Sequence, residues 1–476
     1  MMMSQVAQAL GATLFGQDVL MTGVSKDTRD IHAGDLYVAL VGEHFDGHQF
    51  IEGAYSAGAA GALVSDLQSG LRSETQSLDL PQVLVKDTRI ALGRLAAYWR
   101  QKFTGKLIGI TGSNGKTSVK EMCRKILNDY ASVDTVLSTK GNLNNDIGLP
   151  MMLLELRQQH KFAVIEMGAN HVGEIDYLTA IAKPDVAVVN NVGPAHLEGF
   201  GSLDNIAKAK AEIFNGLSED GVAIINQDDA FSAFLKKTCA GKNIVTFSMF
   251  DQAANVYAKN LSANRYQIIT AKEQAELTLK VPGKHNVMNA LAAIAAALSV
   301  DVPLDSIVAS LSAFENIQGR LTVVRSASGC RVIDDAYNAN PLSVSAAIDV
   351  LAGMTGNTIL VLGDMAELGE DAEQHHAEIG HKAKTAGINV LYATGVLSES
   401  TVNAFGENGF YFEDKKALIN ALNENLTSSD VVLIKGSRSA AMEEVVERVL
   451  SHQICPGKDG NNATQEPLPN NNKRVN

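Results

Sequence analysis

The hydrophobic positions of this chain fall into short apolar runs that alternate with segments of helical period. Runs such as "KLIGI", "FAVIEMG", "DVAVVNNV" and "GVAIIN" are almost continuously apolar, which is typical of strands buried on both faces of a parallel sheet. Between them, stretches such as "TSVKEMCRKILNDY" repeat apolar residues at helical spacing. This alternation predicts an α/β fold in which helices cover both faces of a mainly parallel sheet.

The alternating pattern occurs in three successive parts of the 476-residue chain, which is long enough for about three domains. Residues 1–86, with "GDLYVAL" and "AGALV", predict a small N-terminal α/β domain. Residues 87–315 predict a central domain, and residues 316–454 predict a second doubly wound domain built from "CRVIDDAY", "TILVLGDM", "NVLYATG" and "VVLIKGS". Residues 455–476 are polar and rich in Asn, Pro and Gly, which predicts a disordered tail.

Composition narrows the class of protein. A formal net charge of −13 argues against a nucleic-acid binder, because such proteins need a broad basic face. No apolar run approaches the roughly 18 residues of a membrane span, and the first residues lack the basic start of a signal peptide. The four cysteines are dispersed, so we expect neither disulfides nor a zinc site, and we expect a cytoplasmic location.

The most informative motif is "TGSNGKTS", which joins the strand-like "KLIGI" to a helical stretch. The common phosphate-binding pattern has its first glycine five residues before the second, and here that position is Ile110. Gly112 and Gly115 nevertheless permit a tight turn whose N–H groups and following helix favour an anion. Lys116 suits the terminal phosphates and Thr117 suits Mg²⁺. A plain glycine turn is the alternative, but the strand–loop–helix context favours a nucleoside triphosphate site.

Four further segments carry candidate chemistry, each with a plainer alternative. Glu166 ends a buried strand, where it could hold magnesium or be an ordinary strand-end charge. His196 lies in a glycine-rich loop and could simply be solvated, as could Lys210 on its helix. In "GKHNVMNALAAIAAA", Asn286 could be a helix N-cap, while Asn289 could meet the edge of a base.

The motifs in their order resemble one known family. T-G-x-x-G-K-T, E-M-G-A, N-V-G-x-A-H-L-E, A-K-x-E-I-F, H-N-x-x-N-A and D-x-Y-N-A-N-P are similar to motifs of the Mur ligases, the ATP-dependent amide-forming enzymes of peptidoglycan precursor assembly. The resemblance extends over about residues 20 to 450, and the shortened glycine loop is the form this family uses. "KGNLNNDIGLP", "DDAYNANP" and "VLIKGSRS" are similar to those of the members that add D-alanyl-D-alanine.

The resemblance implies a fold, a reaction and a set of partners. The N-terminal domain would bind the uridine end of a precursor, the central P-loop NTPase-like domain would bind ATP, and the C-terminal Rossmann-like domain would close over the site. The implied reaction joins D-alanyl-D-alanine to UDP-MurNAc-tripeptide through an acyl phosphate, with ATP as co-substrate and Mg²⁺ as cofactor. We expect a monomer, although no motif addresses the oligomeric state, and the third residue of the tripeptide is left open between diaminopimelate and lysine.

Site residues follow from the same resemblance. The ATP-binding set is Gly112, Ser113, Asn114, Gly115, Lys116, Thr117, Ser118, Asn286, Asn289, Arg320 and Asp335. The metal set is Thr117, Glu166, His196 and Lys210, the last after carbamylation, and the catalytic set is Lys116, Lys210 and His196. The nucleotide-sugar set is Thr28, His44, Phe45, Asp46, Asn142, Asn144 and Asn145. Asn338 stands where several relatives carry histidine.

Three other interpretations of the function compete with this one. A related ligase that adds a single amino acid or extends folate with glutamate shares the phosphate loop, but "DDAYNANP" and the first-domain sequence count against it. A kinase or NTPase motor would make a phosphorylated product or hydrolyse ATP without forming an amide. A non-catalytic nucleotide-binding scaffold is disfavoured because Lys116, Thr117, Glu166 and Lys210 are all present.

Overall fold

The computed structural model describes residues 1–67 and 80–451 with their side chains, and the backbone of two short strands between them. It contains three successive α/β units, each built on its own sheet, and this confirms the predicted fold class. The predicted tail at 455–476 lies outside the described residues. The domain boundaries at 86/87 and 315/316 stay a prediction.

The first unit has a five-stranded sheet in the order β1-β9-β6-β3-β2, parallel except for β1. Its helices are Met3–Leu10 (α1) and Ile51–Ser56 (α2). Its strands, including two small hairpins, are Thr13–Phe15 (β1), Gly23–Ser25 (β2), Asp35–Val38 (β3), Val41–Gly42 (β4), Phe45–Asp46 (β5), Gly61–Val64 (β6), Arg72–Ser73 (β7), Gln76–Ser77 (β8) and Gln82–Leu84 (β9).

The second unit has a nine-stranded sheet in the order β11-β12-β10-β13-β14-β15-β16-β17-β18. Its strands are Lys106–Thr111 (β10), Val136–Ser138 (β11), Phe162–Glu166 (β12), Val186–Val189 (β13), Val222–Asn226 (β14), Asn243–Ser248 (β15), Val256–Ser262 (β16), Arg265–Thr270 (β17) and Gln274–Thr278 (β18). Its helices are Thr88–Arg100 (α3), Lys116–Ala131 (α4), Gly148–Leu154 (α5), Glu174–Ala182 (α6), Leu197–Phe200 (α7), Leu203–Ala211 (α8), Ser232–Thr238 (α9), Lys284–Leu298 (α10) and Leu304–Ser312 (α11).

The third unit has a six-stranded sheet in the order β19-β20-β24-β21-β22-β23, parallel except for β19. Its strands are Thr322–Arg325 (β19), Arg331–Asp335 (β20), Asn357–Gly363 (β21), Val390–Thr394 (β22), Gly409–Phe412 (β23) and Asp430–Lys435 (β24). Its helices are Pro341–Ala352 (α12), Ala372–Thr385 (α13), Ser398–Phe405 (α14), Lys415–Asn425 (α15) and Glu443–Ser451 (α16).

Burial on both faces of each sheet explains the apolar runs. One core joins the first unit to the α3, α5 and α6 side of the second sheet, and another packs α4, α10 and α11 on its opposite face. The third sheet likewise has a core on each face. Because β12 and β13 flank β10, the crevice at the carboxyl ends of these strands is where a ligand is expected in an open α/β sheet.

The antiparallel part of the second sheet is not apparent in the strand–helix alternation. Strands β16, β17 and β18 pair antiparallel and extend the sheet beyond its parallel part. Their residues mix buried and exposed positions, because this extension is not covered fully on both sides. The extension lies at the far end of the strand order from β10, so it does not form the crevice.

Candidate active site

The phosphate loop connects β10 to α4 and leaves the start of that helix open. Gly115 is the N-cap of α4 with a φ of 77° and provides no side-chain cap, so the first N–H groups of the helix remain available to an anion. A Cβ at Gly115 would collide with the side chains of Asn289 and Asn190. Glycine is therefore required here both for its backbone conformation and for the lack of space.

A set of asparagine side chains fixes the loop backbone. The N–H of Asn114 donates to Oδ1 of Asn191 at 2.8 Å, and its carbonyl accepts from Nδ2 of Asn190 and of Asn191 at 3.0 and 3.1 Å. The same Nδ2 of Asn190 donates to Oδ1 of Asn289 at 2.8 Å. The hydroxyl of Ser113 donates to the carbonyl of Gly193 at 2.8 Å. The loop is thus held in shape by the segment that follows β13.

Lys116 lies over the loop that carries it. Its Nζ donates to the carbonyls of Gly112 and Ser113 at 2.7 and 3.3 Å. Burial lowers the pKa of the Lys116 ammonium, and the Glu166 carboxylate opposes this effect. The positive charge is therefore placed at the mouth of the loop, where phosphate oxygens would compete for it.

Glu166, at the end of β12, is only 3% exposed and uses both carboxylate oxygens. Oε2 accepts from the Thr117 hydroxyl at 2.9 Å, and Oε1 accepts from Nδ2 of Asn144 at 2.8 Å. Nη2 of Arg320, from the third unit, donates to the same Thr117 hydroxyl at 3.1 Å. This carboxylate and hydroxyl beside the phosphate loop are the oxygen donors that Mg²⁺ takes alongside substrate phosphates.

The two remaining predicted metal residues lie in different environments. Nδ1 of His196 is in ion-pair contact with Glu367 of the third unit, although not in hydrogen-bond geometry. Burial lowers the pKa of His196, and the Glu367 carboxylate opposes this effect. Metal ligation requires the neutral ring, which burial favours. Lys210 is 1% exposed, and burial together with the charge of Lys116 lowers its pKa to about 7. Its Nζ lies 5.2 Å from the centre of the Phe200 ring.

The third unit provides the opposite wall of the crevice. Asp335 and Lys435 end neighbouring parallel strands in register, and Nζ of Lys435 donates to Oδ2 of Asp335 at 2.6 Å and to the carbonyl of Asn338 at 2.8 Å. The Arg320 guanidinium lies 4.4 Å from the centre of the Tyr337 ring. This stacking holds the guanidinium where it reaches Thr117.

A single cavity of about 740 Å³ lies between the second and third units. It is lined by all the residues predicted for ATP or metal except Gly112 and Lys210, and also by Asn142, Asn144 and Asn145. Gly112 shapes the loop from behind, close to Asn190, and Lys210 is buried on α8. The structure therefore brings together side chains that are more than two hundred residues apart in the sequence.

The predicted uridine residues lie elsewhere, in the first unit. Thr28 begins a 3₁₀ turn, and none of Thr28, His44, Phe45 and Asp46 lines the cavity. Phe45 is 48% exposed with its ring 6.2 Å from that of Phe50. The Asp46 carboxylate accepts from the backbone N–H of His48 at 2.9 Å and lies 2.6 Å from Nδ1 of the same ring.

The start of α10 shows that Asn286 is not the helix N-cap, which was one of its two predicted roles. The N-cap of this helix is Gly283, so Asn286 is not the cap; its Nδ2 instead donates to the carbonyl of Pro282 at 2.7 Å. Asn289 lies one turn further and is buried against the phosphate loop. Both asparagines therefore belong to the wall of the cavity.

Three family models match the chain in succession. They are described as the Mur ligase family catalytic domain over residues 20–100, the Mur ligase middle domain over residues 110–297, and the Mur ligase glutamate ligase domain over residues 319–438. A protein of Escherichia coli (strain K12) named UDP-N-acetylmuramoyl-tripeptide–D-alanyl-D-alanine ligase is 43% identical over 459 residues, covering 95% of this chain and 99% of that protein.

The chain belongs to the Mur ligase family. A Bacillus subtilis (strain 168) Mur ligase of the same name is 36% identical, covering 92% of this chain and 95% of that protein. A crystal structure of MurF from Acinetobacter baumannii matches with a TM-score of 0.86 at 35% identity, covering 94% of this chain and 98% of that one. MurF of Thermotoga maritima in complex with ADP matches with a TM-score of 0.79 at 27% identity, covering 91% and 98%. The family predicted from the motifs is confirmed.

Several residues of this Mur ligase site were not predicted from its sequence. Lys435, Asn190, Asn340 and His285 all belong to the cavity wall or to its support. Lys435 follows a buried strand in "VVLIKGS", the same signal that indicated Glu166, and could have been found in this way. His285 is partly buried beside Asn286, and desolvation lowers its pKa to about 4. Its helix context gives no comparable signal.

Two absences concern only the described part of this Mur ligase. Over residues 1–67 and 80–451, no three His, Cys, Asp or Glu side chains form a ready-made metal cluster. None of the helices in that part combines the length and apolar character that a bilayer crossing requires.

Proposed function

We propose that this chain is an ATP-dependent amide ligase that joins D-alanyl-D-alanine to UDP-MurNAc-tripeptide through an acyl phosphate. The observation that carries the proposal is one cavity in which the phosphate loop and Glu166 face Asp335, Lys435 and Arg320 of a separate unit. Relatives that carry the name of this ligase at 36–43% identity over nearly the whole chain support the choice of substrates.

The first chemical step overcomes the low reactivity of a carboxylate. One carboxylate oxygen of the tripeptide attacks the γ-phosphorus of ATP, and ADP leaves. Phosphoryl transfer needs positioning and charge neutralisation more than covalent help from the protein. Lys116 and Arg320 supply positive charge from the two sides of the cavity. The loop N–H groups hold the phosphates in place.

The second step forms the amide bond. The neutral amine of D-alanyl-D-alanine attacks the carbonyl carbon, phosphate leaves with one of the original carboxylate oxygens, and the amine loses a proton. Acyl phosphates hydrolyse in water, so the reactants have to be enclosed. The third unit provides this enclosure, because Asn338, Tyr337 and Leu342 line the same cavity as the phosphate loop.

We propose that Thr117 and Glu166 hold Mg²⁺, with His196 beside a second position. Magnesium bound there would neutralise phosphate charge and act as a Lewis acid. The donors support this assignment: the Glu166 carboxylate and the Thr117 hydroxyl have oxygens 2.9 Å apart next to the loop, and the His196 imidazole lines the same cavity. One or two protein ligands are sufficient, because the phosphates and water complete the shell of Mg²⁺.

We propose that Lys210 becomes a carbamate. Carbon dioxide adds only to a neutral amine, and a pKa of about 7 leaves a substantial fraction of Lys210 neutral in the cytoplasm. The product is a carboxylate-like group that would offset the positive charge of Lys116 in this buried region. The expected adduct can be observed by ¹³C NMR in ¹³C-bicarbonate and should be absent in Lys210→Met.

We propose that Thr28, His44, Phe45 and Asp46 bind the uridine end, and that Asn142, Asn144 and Asn145 face the pyrophosphate and sugar. The exposed Phe45 ring could receive a base, and Asn144 already lies at the cavity through its bond to Glu166. We further propose a cytoplasmic monomer. The buried free thiols of Cys123, Cys239 and Cys330 suit a reducing compartment. Light scattering after size exclusion would test the monomer.

The decisive experiment follows the carboxylate oxygen of the tripeptide and identifies the product. UDP-MurNAc-tripeptide with an ¹⁸O-labelled terminal carboxylate, ATP and D-alanyl-D-alanine should give the pentapeptide product by mass spectrometry, with one ¹⁸O in the released phosphate. A single amino acid in place of the dipeptide should give little product, and Lys116→Met should give none. Phosphate without ¹⁸O, or ADP formed at the same rate without the dipeptide, would refute the proposal and favour an ATPase.

A further inference from the structure

Two asparagine side chains join the phosphate loop to the third unit. Nδ2 of Asn340 donates to Oδ1 of Asn114 at 2.7 Å, and Nδ2 of Asn114 donates back to Oδ1 of Asn340 at 3.2 Å. The two residues are 226 positions apart in the chain. We call this reciprocal pair the asparagine clasp.

On the loop side of the clasp, the backbone of Asn114 is held independently of Asn340. Both backbone groups of Asn114 are engaged by the side chains of Asn190 and Asn191. The position of the Asn114 side chain therefore depends on the conformation of the phosphate loop. A displacement of the loop would move this amide, and a restrained amide would in turn restrain the loop.

The other side of the clasp is fixed by a helix cap. Asn340 is the N-cap of α12: its Oδ1 accepts from the N–H of Ser343 at 2.9 Å, and its own N–H donates to the Ser343 hydroxyl at 3.0 Å. Pro341 follows in the first turn and pre-sets the backbone. Since its Oδ1 is already committed to the cap, the amide of Asn340 can turn only one way, with Nδ2 toward the loop.

Within residues 1–67 and 80–451, the clasp is one of two polar contacts that the third unit makes directly with the loop and its helix. Asn340 contacts Asn114 before the lysine, and Arg320 contacts Thr117 directly after it. Leu342, on the first turn of α12, lies so close to Gly193 that any side chain there would collide with it. The third unit is thus seated against both ends of the phosphate-binding turn.

We propose that Asn340 is a positioning residue of the ligation reaction: acting through Asn114, it links the shape of the phosphate loop to the seating of the third unit. Binding of triphosphate to the loop and closure of the third unit then stabilise each other, because coupling between two sites is reciprocal. The role of the clasp in turnover rests on the proposed function, whereas its effect on nucleotide binding does not.

The test is a double-mutant cycle with Asn114→Ala, Asn340→Ser and the double variant. Asn340→Ser keeps a good N-cap oxygen but is too short to reach Asn114. Asn114→Ala keeps the loop backbone and its bonds to Asn190 and Asn191. The matched control is Asp414→Ser, which exchanges one cap residue for another at α15, where Oδ1 of Asp414 accepts from the N–H of Ala417 at 2.7 Å away from the cavity.

We expect each single variant to raise the KM for ATP about five- to tenfold, with a smaller change in kcat, which corresponds to the loss of two net hydrogen bonds. The double variant should resemble either single variant, because the second change removes nothing further. Asp414→Ser should match the parent in KM. Effects that multiply in the double variant, no change in KM, or an equal shift in Asp414→Ser would each overturn the proposal.

A second measurement separates this inference from the proposed function. The Kd of the non-hydrolysable analogue AMP-PNP with Mg²⁺ is measured by calorimetry on the full chain, with small-angle scattering to follow compaction. The clasp predicts weaker binding and less compaction in both single variants even if no amide product is ever found. Unchanged binding and compaction would reject the clasp while leaving the ligase assay unaffected. If Asn340→Ser fails to fold, Asn340→Asp takes its place in the cycle, because it keeps the cap oxygen but lacks the Nδ2 donor to Asn114.

Discussion

Substitution of one loop glycine gives the sharpest test of the site geometry. Gly115→Ala introduces two separate penalties: a left-handed backbone at a residue with a side chain, and a methyl group directed at two buried amides. The new Cβ would lie 2.5 Å from Nδ2 of Asn190 and closer still to Oδ1 of Asn289. Gly241→Ala introduces only the first penalty, since Gly241 has a φ of 88° and nothing within 4 Å of an added Cβ.

The two penalties have different expected sizes. A left-handed conformation costs an alanine about 1–2 kcal/mol. Displacing Asn190 breaks its bonds to Asn289 and to the carbonyl of Asn114, and each buried bond lost without replacement costs about 1–3 kcal/mol. If about 2 kcal/mol of this must be recovered when ATP restores the loop, the affinity for ATP falls about 30-fold in Gly115→Ala.

Calorimetric titration with AMP-PNP and Mg²⁺ gives the affinity, and urea unfolding of the same variants gives the stability. Gly241→Ala should lose about 1–2 kcal/mol of stability and bind nucleotide like the parent. Parent-like binding by Gly115→Ala would show that the loop does not depend on the Asn190 and Asn289 amides. An equal loss of affinity in Gly241→Ala would show that general destabilisation, and not the collision, controls binding.

Three other predictions concern buried titratable groups. Lys210 has a folded pKa of about 7 against an ordinary value of 10.5, so the unfolded chain binds more protons than the folded chain between these pH values. Without bicarbonate and Mg²⁺, the urea midpoint should therefore rise from pH 7 to pH 9. A midpoint that depends on pH no more than that of Lys210→Met would contradict this. His285 has a pKa of about 4 against 6.5, so stability should fall as the pH drops from 6.5 towards 4, and His285→Gln should reduce that slope. Lys435→Met should destabilise the third unit by about 3–5 kcal/mol in urea unfolding, because it leaves Asp335 buried and unpaired. The double variant with Asp335→Asn should recover most of this loss. If it recovers none, the pair contributes to stability through packing instead.

The fold and the phosphate-binding half of the site follow from local patterns. A continuous apolar run such as "FAVIE" allows little besides a strand buried on both faces, and glycines between a strand and a helix define the loop. Glu166 could be placed from the same logic, because the carboxyl ends of neighbouring parallel strands share one edge. The lysine at the end of β24 obeys the same rule, and the motif "VLIKGSRS" contains it, but the motif alone assigned no role to that residue.

The other half of the site depends on tertiary contacts that no local pattern contains. Asn190 lies just outside the family motifs and Asn340 lies inside "DDAYNANP", but neither position reveals a partner about a hundred or more than two hundred residues away. Lys210 lies on a helix whose composition suggests a solvated face, yet it is buried because α8 packs its last turn inward. Asn286 fits the composition of a cap, but the preceding Gly283 takes that position.

The division of the cavity between two sheets has a consequence for how the molecule is made. Translation delivers the phosphate loop and Glu166 within the first 166 residues, whereas Lys435 emerges with β24, more than 260 residues later. A ribosome-bound fragment that stops after β18 contains the phosphate loop but none of the third-unit residues that line the cavity. The complete reaction chamber therefore exists only once the chain has been synthesised through Lys435.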